Sequence, residues 1–340
     1  MINHDNDEDK VSFTFFDFNQ SEVCNPLYAK LREKLSSNKK SKTFSMQFTP
    51  HKTIGYQRPV ITEDGDVEEV SDQDKKLKLH YPSDIKIARH HGCLVIADDH
   101  NDRIVFLNLD NYQLRTEFTL EESVTDFWIE SDSAGNEYIY FGDNGITFKF
   151  NIAKLVEHAQ VKLKDIEPMW KISEKLSGSI MVIHDASRKE KVVLRWNNDA
   201  QGLNAHRDCD GSLLAKYPVL SLCDSPGLFA ISNSEFIALN HESNMVFKIT
   251  LTDGKCENSD MFQVQNPWKH PLSVAKELSQ HRIYISDYGN KRIVVWDLLQ
   301  ECEIKIHHEE HLHPFGIFYD DQSGLLYVVD QQACIIRVYQ

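Results

Sequence analysis

No stretch of these 340 residues is apolar for long enough to span a membrane. The opening run, Met1 to Asp9, is acidic and polar, the opposite of a secretory leader. Cysteine is sparse and scattered. Cys24, Cys93, Cys209, Cys223, Cys256, Cys302 and Cys334 are odd in number and never spaced C-x-x-C, which argues against a disulfide framework and a zinc finger. Free thiols in a reducing compartment follow, and the expected location is cytoplasmic. No G-x-S-x-G elbow, phosphate loop or dinucleotide glycine fingerprint occurs. No catalytic residue is assigned and no cofactor is expected.

Positive charge is also short. The chain holds 37 Lys and Arg against 52 Asp and Glu, a net charge of −15. Residues 1–80 carry 14 acids and 12 bases, so −13 of that total lies in residues 81–340. A body this acidic repels a polyphosphate unless its bases are strongly segregated. Nucleic acid is therefore not the expected partner, and RNA binding by a local basic rim of His100, Arg103, Lys189, Lys191, Lys269, Lys291 and Arg292 is the second alternative. With 41% hydrophobic and 26% charged residues, the chain is globular.

Residues 1–75 read differently from the rest, as a largely irregular extension or linker. Pro26 to Leu35 predicts a short helix, with Pro at its start and Leu27, Leu31 and Leu35 at four-residue spacing. Thr62 to Lys76, dense in Glu, Asp and Lys, reads as a solvated linker.

From residue 76 onward a repeat emerges. Short apolar runs end in a polar residue at Asp98, Gly142-Asp143, Asp185, Asn240, Asp287 and Asp330, at intervals of 45, 42, 55, 47 and 43 positions. Most are preceded by a proline-led run: Pro82-Ser83-Asp84-Ile85, Pro226-Gly227-Leu228-Phe229, Pro271-Leu272-Ser273-Val274 and Pro314-Phe315-Gly316-Ile317. Pro168 is taken to mark the third unit, and the second begins at Val124-Thr125-Asp126-Phe127 without a proline. A tight loop and a β-branched strand follow, clearest in Asp98 to Phe106 and Asp287 to Trp296. Six such units, each with a β-rich face too small to bury alone, predict an all-β fold. Its form is a six-bladed β-propeller of four-stranded antiparallel blades over residues 76–340.

These units resemble the NHL-repeat family, whose pattern is approximately P-x-G-I…I-Y-V-x-D-x-x-N-x-R-I. The likeness covers residues 82–340, is sharpest in the first and fifth units, and implies the same six-bladed propeller. Asp98, Asn101, Arg103, Asp287, Asn290 and Arg292 recur blade after blade, which marks them as architecture: the Asp accepts turn N–H groups and the Arg pairs with a nearby acid. Asn or Gly is expected to take up positive φ in that turn. The last unit would otherwise leave an open edge, and the resemblance implies that an N-terminal segment supplies its outer strand. Lys76 to Leu79 is the favoured segment, and Thr43 to Phe48 the second choice.

His307-x-x-Glu310-His311 fits an H-x-x-E-H spacing, but a loop is expected there and the motif needs a helix. His80, His270 and His313 sit at or beside the proline-led runs and are weak metal candidates for a channel site. The resemblance to a peptide-amidating lyase fails at its ligand positions, which here hold Ser83, Met169, Gly227, Leu272 and Phe315. Calcium-dependent lactonase propellers would draw on acids such as Asp126, Asp143 and Asp224. The five tryptophans are expected to pack between blades. The leading expectation is a non-enzymatic scaffold that binds a protein or peptide on its loop face through His100, Arg103, Lys291, Arg292, His307, His308 and His311. The alternative is a metal-dependent hydrolase or lyase, lactonase-like, with Ca²⁺ or Zn²⁺ in the central channel.

Overall fold

The computed structural model describes residues 41–55, 77–174, 177–185, 189–197, 202–218, 227–252, 255–259, 262 and 264–340. The expected helix at Pro26–Leu35, the linker from Thr62 to Lys76, Pro226 and Asp224 lie outside these residues. Thr43–Gln340 forms one compact unit built of six sheets.

Each sheet is a four-stranded antiparallel blade, and blade one carries a fifth strand on its edge. The inner strands are Pro82–Ala88, Phe127–Ser131, Ser177–Asp185, Gly227–Ala230, Pro271–Glu277 and Pro314–Asp320. In most blades the second and third strands are largely buried, as in Cys93–Asp98 and Arg292–Asp297. Their alternating side chains fill the spaces between neighbouring sheets. Phe118, Phe127, Phe141 and Phe150 form such a layer between blades one and two. Burying a side chain of this size contributes about 1.5–3 kcal/mol. Trp170, Trp196, Trp268 and Trp296 are likewise buried.

Two corrections to the expected layout stand out. The ring is closed by Pro50–Ile54, which pairs antiparallel with Ile335–Tyr339, Thr53 opposite Arg337. Neither expected segment forms that strand. Leu77 and Leu79 are buried, but they wedge into the apolar layer between blades six and one, beside Ile85 and Ile336. Their alternation reflects burial without a ladder. Thr43–Phe48 instead runs over blades five and six, where Phe44 and Phe48 are buried with Tyr284 and Tyr339. The propeller thus reaches back to Thr43, ahead of the expected boundary at residue 76.

Blade three is the second correction. Ile180–Asp185 was expected as its second strand, yet it belongs to the inner strand and pairs with Glu190–Asn197. The residue matching Asp98 is therefore Asn197. Pro168 precedes Trp170–Ile172, the outer strand of blade two, rather than a new blade. An excursion explains the displaced repeat. After its third strand, blade two makes a short helix, Ile152–Val156, and a strand, Gln160–Lys162, that pairs in parallel with Leu114–Thr119 of blade one. Asn151 caps that helix by accepting the Ala153 N–H.

Candidate functional site

The loops after each second strand share one end of the propeller with the crossovers between blades. There the recurrent Asp is the hub of a latch. Asp98, fully buried, accepts the His80 N–H at 2.6 Å, the Asn101 amide at 2.8 Å and Arg103 Nε at 2.7 Å. Asn101 and Arg103 then reach the Lys78 carbonyl, each at 3.0 Å. Blade five repeats the plan: Asp287 accepts the Lys269 N–H at 2.8 Å, Asn290 at 2.8 Å and Arg292 Nε at 2.6 Å. Asn290 and Arg292 donate onward to the carbonyls of Pro267 and Asn266. In blade six, Asp330 accepts the His313 N–H, and Arg337, two residues further along the strand, supplies the guanidinium at 2.7 Å. Asp143 does the same for Glu121 and Glu122 in blade two.

In blades one, five and six the latch ties the second and third strands to the incoming crossover. Arg103 and Arg292 are spent in it. Positive φ falls on Asp102 and Lys291, one residue after Asn101 and Asn290, and at the matching Asn244 and Cys334, at φ of 48–58°; of these four only blade four has the expected Asn there. The turn hydrogen bonds hold these residues in αL despite their side chains.

Other expected partner-binding residues are dispersed. His100 is exposed, its ring 4.5 Å from that of Tyr81 and 5.1 Å from that of His80. Lys291 donates to the Glu310 carbonyl at 3.2 Å. His311 is exposed in a turn, and the His313 ring stands 5.9 Å from Tyr288. His270 is exposed and donates its N–H to Asn244. His307 and His308 are not in a loop: they end the outer strand Cys302–His308 of blade five. The His307 ring packs against Phe48 and Tyr339, and burial pulls its pKa below the usual imidazole value.

Nor do the bases make one rim. Lys189 and Lys191 lie where the first strand of blade three turns into the second, at the end opposite Lys269 and Lys291. Lys191 is paired with Glu130 at 2.6 Å. Among the described residues no three His, Cys, Asp or Glu side chains gather as a metal site.

Along the axis lies a cavity of about 290 Å³, lined by all six inner strands. A belt of hydrogen bonds surrounds it. Asp84 accepts the Phe127 N–H of blade two, Asp126 accepts the Ile180 N–H of blade three, and Ser273 accepts the Ile317 N–H of blade six. At the matching place in blade six stands Gly316, where a Cβ would come within 2.5 Å of the Ser83 carbonyl. That glycine lets the first and last blades meet.

Asp84 is buried, and Lys86 Nζ contacts its two oxygens at 2.6 and 2.5 Å. Burial foremost, and then the like charge of Asp126, push its pKa up to about 7 against the pull of Lys86. Arg195 of blade three is buried beside Asp126. Burial draws its pKa down to about 10, and Asp126 acts in the opposite direction. Of the acids singled out in the sequence, Asp126 lines the cavity and Asp143 serves a latch. Ser83, Gly227, Leu272 and Phe315 line the cavity, whereas Met169 is exposed beside the outer strand of blade two. Sequence reasoning passed over Asp84, Lys86 and Arg195. The signal was there in Asp84 and Asp126, each standing just before an apolar residue of a blade's inner strand.

No known family pattern and no curated protein matches the chain. Solved structures do resemble it. The Cps50 (Swd1) β-propeller domain of Myceliophteria thermophila is 12% identical with a TM-score of 0.53, covering 77% of this chain and 97% of that one. A streptogramin B lyase is 15% identical with a TM-score of 0.51, covering 82% and 84%. An auxiliary nutrient binding protein from Bacteroides ovatus is 10% identical with a TM-score of 0.56, covering 76% and 68%. At such identities the likeness is one of fold, and by fold this chain is a six-bladed β-propeller.

Proposed function

We propose that this chain is a non-catalytic, NHL-type scaffold that binds a protein or peptide on the face carrying its crossovers. The carrying observation is what the latches leave over. His80, Tyr81 and His100 of blade one, with Tyr288, His311 and His313 of blades five and six, present rings on that face without a part in the Asp-centred ion pairs. Rings of this kind combine apolar area with a polar tip at small entropic cost, which suits the centre of an interface. Behind them stand six packed sheets in a closed ring, a preorganised support that lowers the cost of ordering the face on binding.

The test is capture by the full-length, untagged chain immobilised through an amine. The double variant Tyr81→Ala/His311→Ala is compared with Lys189→Ala at the opposite end. Proteins retained by wild type and Lys189→Ala, and lost by the double variant, are the expected result. Identical retention by all three would overturn the reading.

A channel hydrolase or lyase is the second reading, favoured by the Asp84–Asp126 pair in the cavity and by the resemblance to a streptogramin B lyase. Ca²⁺ or Zn²⁺ would have to be held there. The described residues do not assemble three protein ligands for either ion, so no step is derived through one. Metal content after dialysis, with paired melts in chelator, separates the readings. One retained ion per chain, lost together with stability, would favour the enzyme.

A further inference from the structure

The charged groups of the axial cavity gather on one side. Blades one and two bring Asp84, Lys86 and Asp126 to it, and blades four to six supply Leu228, Phe229, Leu272 and Phe315 together with His241 and Ser273. Asp126 has buried Arg195 as its neighbouring cation, and Asp84 has Lys86. Of the two cations only Lys86 lines the space; Arg195 is packed against Gly142.

We propose that this cavity binds a small monocarboxylic acid with an apolar body. Its carboxylate takes Lys86 and its body lies on Phe229, Leu272 and Phe315. In the free protein the Lys86 ammonium is held by Asp84. The groups facing Asp84 are Lys86 on its own strand, Asp126 from blade two, Arg195 behind Asp126 from blade three, and His241 of blade four on the cavity wall.

Burial and Asp126 hold Asp84 close to its point of protonation at neutral pH, so giving up its charge there costs little. When the ligand's carboxylate arrives, Asp84 takes one proton from solvent and becomes a neutral donor. Lys86 exchanges one anion for another, and the charge of the cavity is unchanged. A cationic ligand would meet Lys86. An uncharged one would leave Lys86 without an anion whenever Asp84 is protonated. The inference concerns the axis and does not rest on the crossover face.

The test uses the full chain with octanoate and 3-phenylpropionate as probes and octan-1-ol as the uncharged control. Titration calorimetry is run at pH 6, 7 and 8 in two buffers of different ionisation enthalpy. Both acids should bind and the alcohol should bind at least roughly tenfold more weakly. Affinity for the acids should fall roughly tenfold from pH 6 to pH 8, with proton uptake approaching one per site at the upper end. Lys86→Gln should lose about tenfold or more.

Asp84→Asn fixes the neutral form. It should bind at pH 8 as wild type does at pH 6 and lose the pH dependence; if that variant does not fold, proton uptake and Lys86→Gln decide. No binding at millimolar acid, equal binding of the alcohol, or unchanged affinity in Lys86→Gln would each overturn the proposal. So would a fall of about a hundredfold over the pH range, the mark of a neutral acid entering by itself.

Discussion

The His307 imidazole lies face to face with the Phe48 ring, 4.3 Å between centroids and 1° from parallel. One residue is the last but one of the outer strand of blade five and the other ends the N-terminal segment that crosses it, so the stack fastens the two together. Phe44 adds a second fastening, its N–H donating to the buried carboxylate of Glu277 at 3.2 Å.

Stacked and half-buried, His307 resists protonation. Its folded pKa lies below the unfolded value, so the unfolded state binds the proton more tightly. Its stabilising contribution is therefore present above about pH 6.5 and is lost as pH falls through the unfolded and then the folded value. His307→Phe keeps the stack and removes the titration. Between pH 7 and pH 5 this variant should lose less melting temperature than wild type. His307→Ala, which removes the stack, should cost about 1 kcal/mol at pH 7. Parallel pH slopes for His307→Phe and wild type would refute the assignment.

Asp287 and Arg292 form the most buried latch, at 0% and 5% side-chain exposure. Arg292→Ala leaves a buried carboxylate without its cation and should destabilise by about 3–5 kcal/mol in urea unfolding. Arg103, at 14%, and Arg337, at 22%, should cost progressively less when replaced by Ala. Arg292→Lys should recover only part of the loss, because the fork that also reaches the Asn266 carbonyl is gone. A reversed order among the three would sink the burial argument.

The closing strand makes a sharp comparison of truncations. A chain lacking residues 1–42 keeps Pro50–Ile54 and both buried phenylalanines, and it should melt cooperatively near full length. A chain lacking residues 1–55 bares the edge of Ile335–Tyr339 and should aggregate or lose its cooperative transition. Circular dichroism melts and sedimentation read both. Equal melting of the two would mean that the ring holds without its outer strand.

Gly316→Ala tests the seam. The added methyl meets Ser83 O at 2.5 Å and Asp84 Cα at 2.8 Å, both backbone, so relief requires the inner strands to part. A loss of about 1–3 kcal/mol is expected. A variant as stable as wild type would show that blades one and six separate freely.

Much of this architecture was legible because the same local problem is solved repeatedly. Asp98, Asn101 and Arg103 are spelled again as Asp287, Asn290 and Arg292, and a latch needs the same atoms each time. The closing strand was not legible. Pro-His-Lys-Thr-Ile exposes four of its five side chains, so an outermost strand shows no apolar alternation to read. Blade three misled for a different reason: Ile180–Asp185 has the composition of a second strand, and only its partner distinguishes an inner strand from it. In the cavity, Asp126 stood out as an acid. Its relation to Asp84 and Arg195 depends on three blades meeting, which spacing along the chain does not encode.

The excursion of blade two also bears on how the ring comes apart. The chain leaves blade two with only three strands made, lays Gln160–Lys162 along blade one, and returns at Trp170 to supply the fourth. Peeling blade one from the ring therefore pulls on the segment that completes its neighbour. Under mechanical load from the N-terminal side, the two should yield as a single event, with a length release near twice that of any later blade.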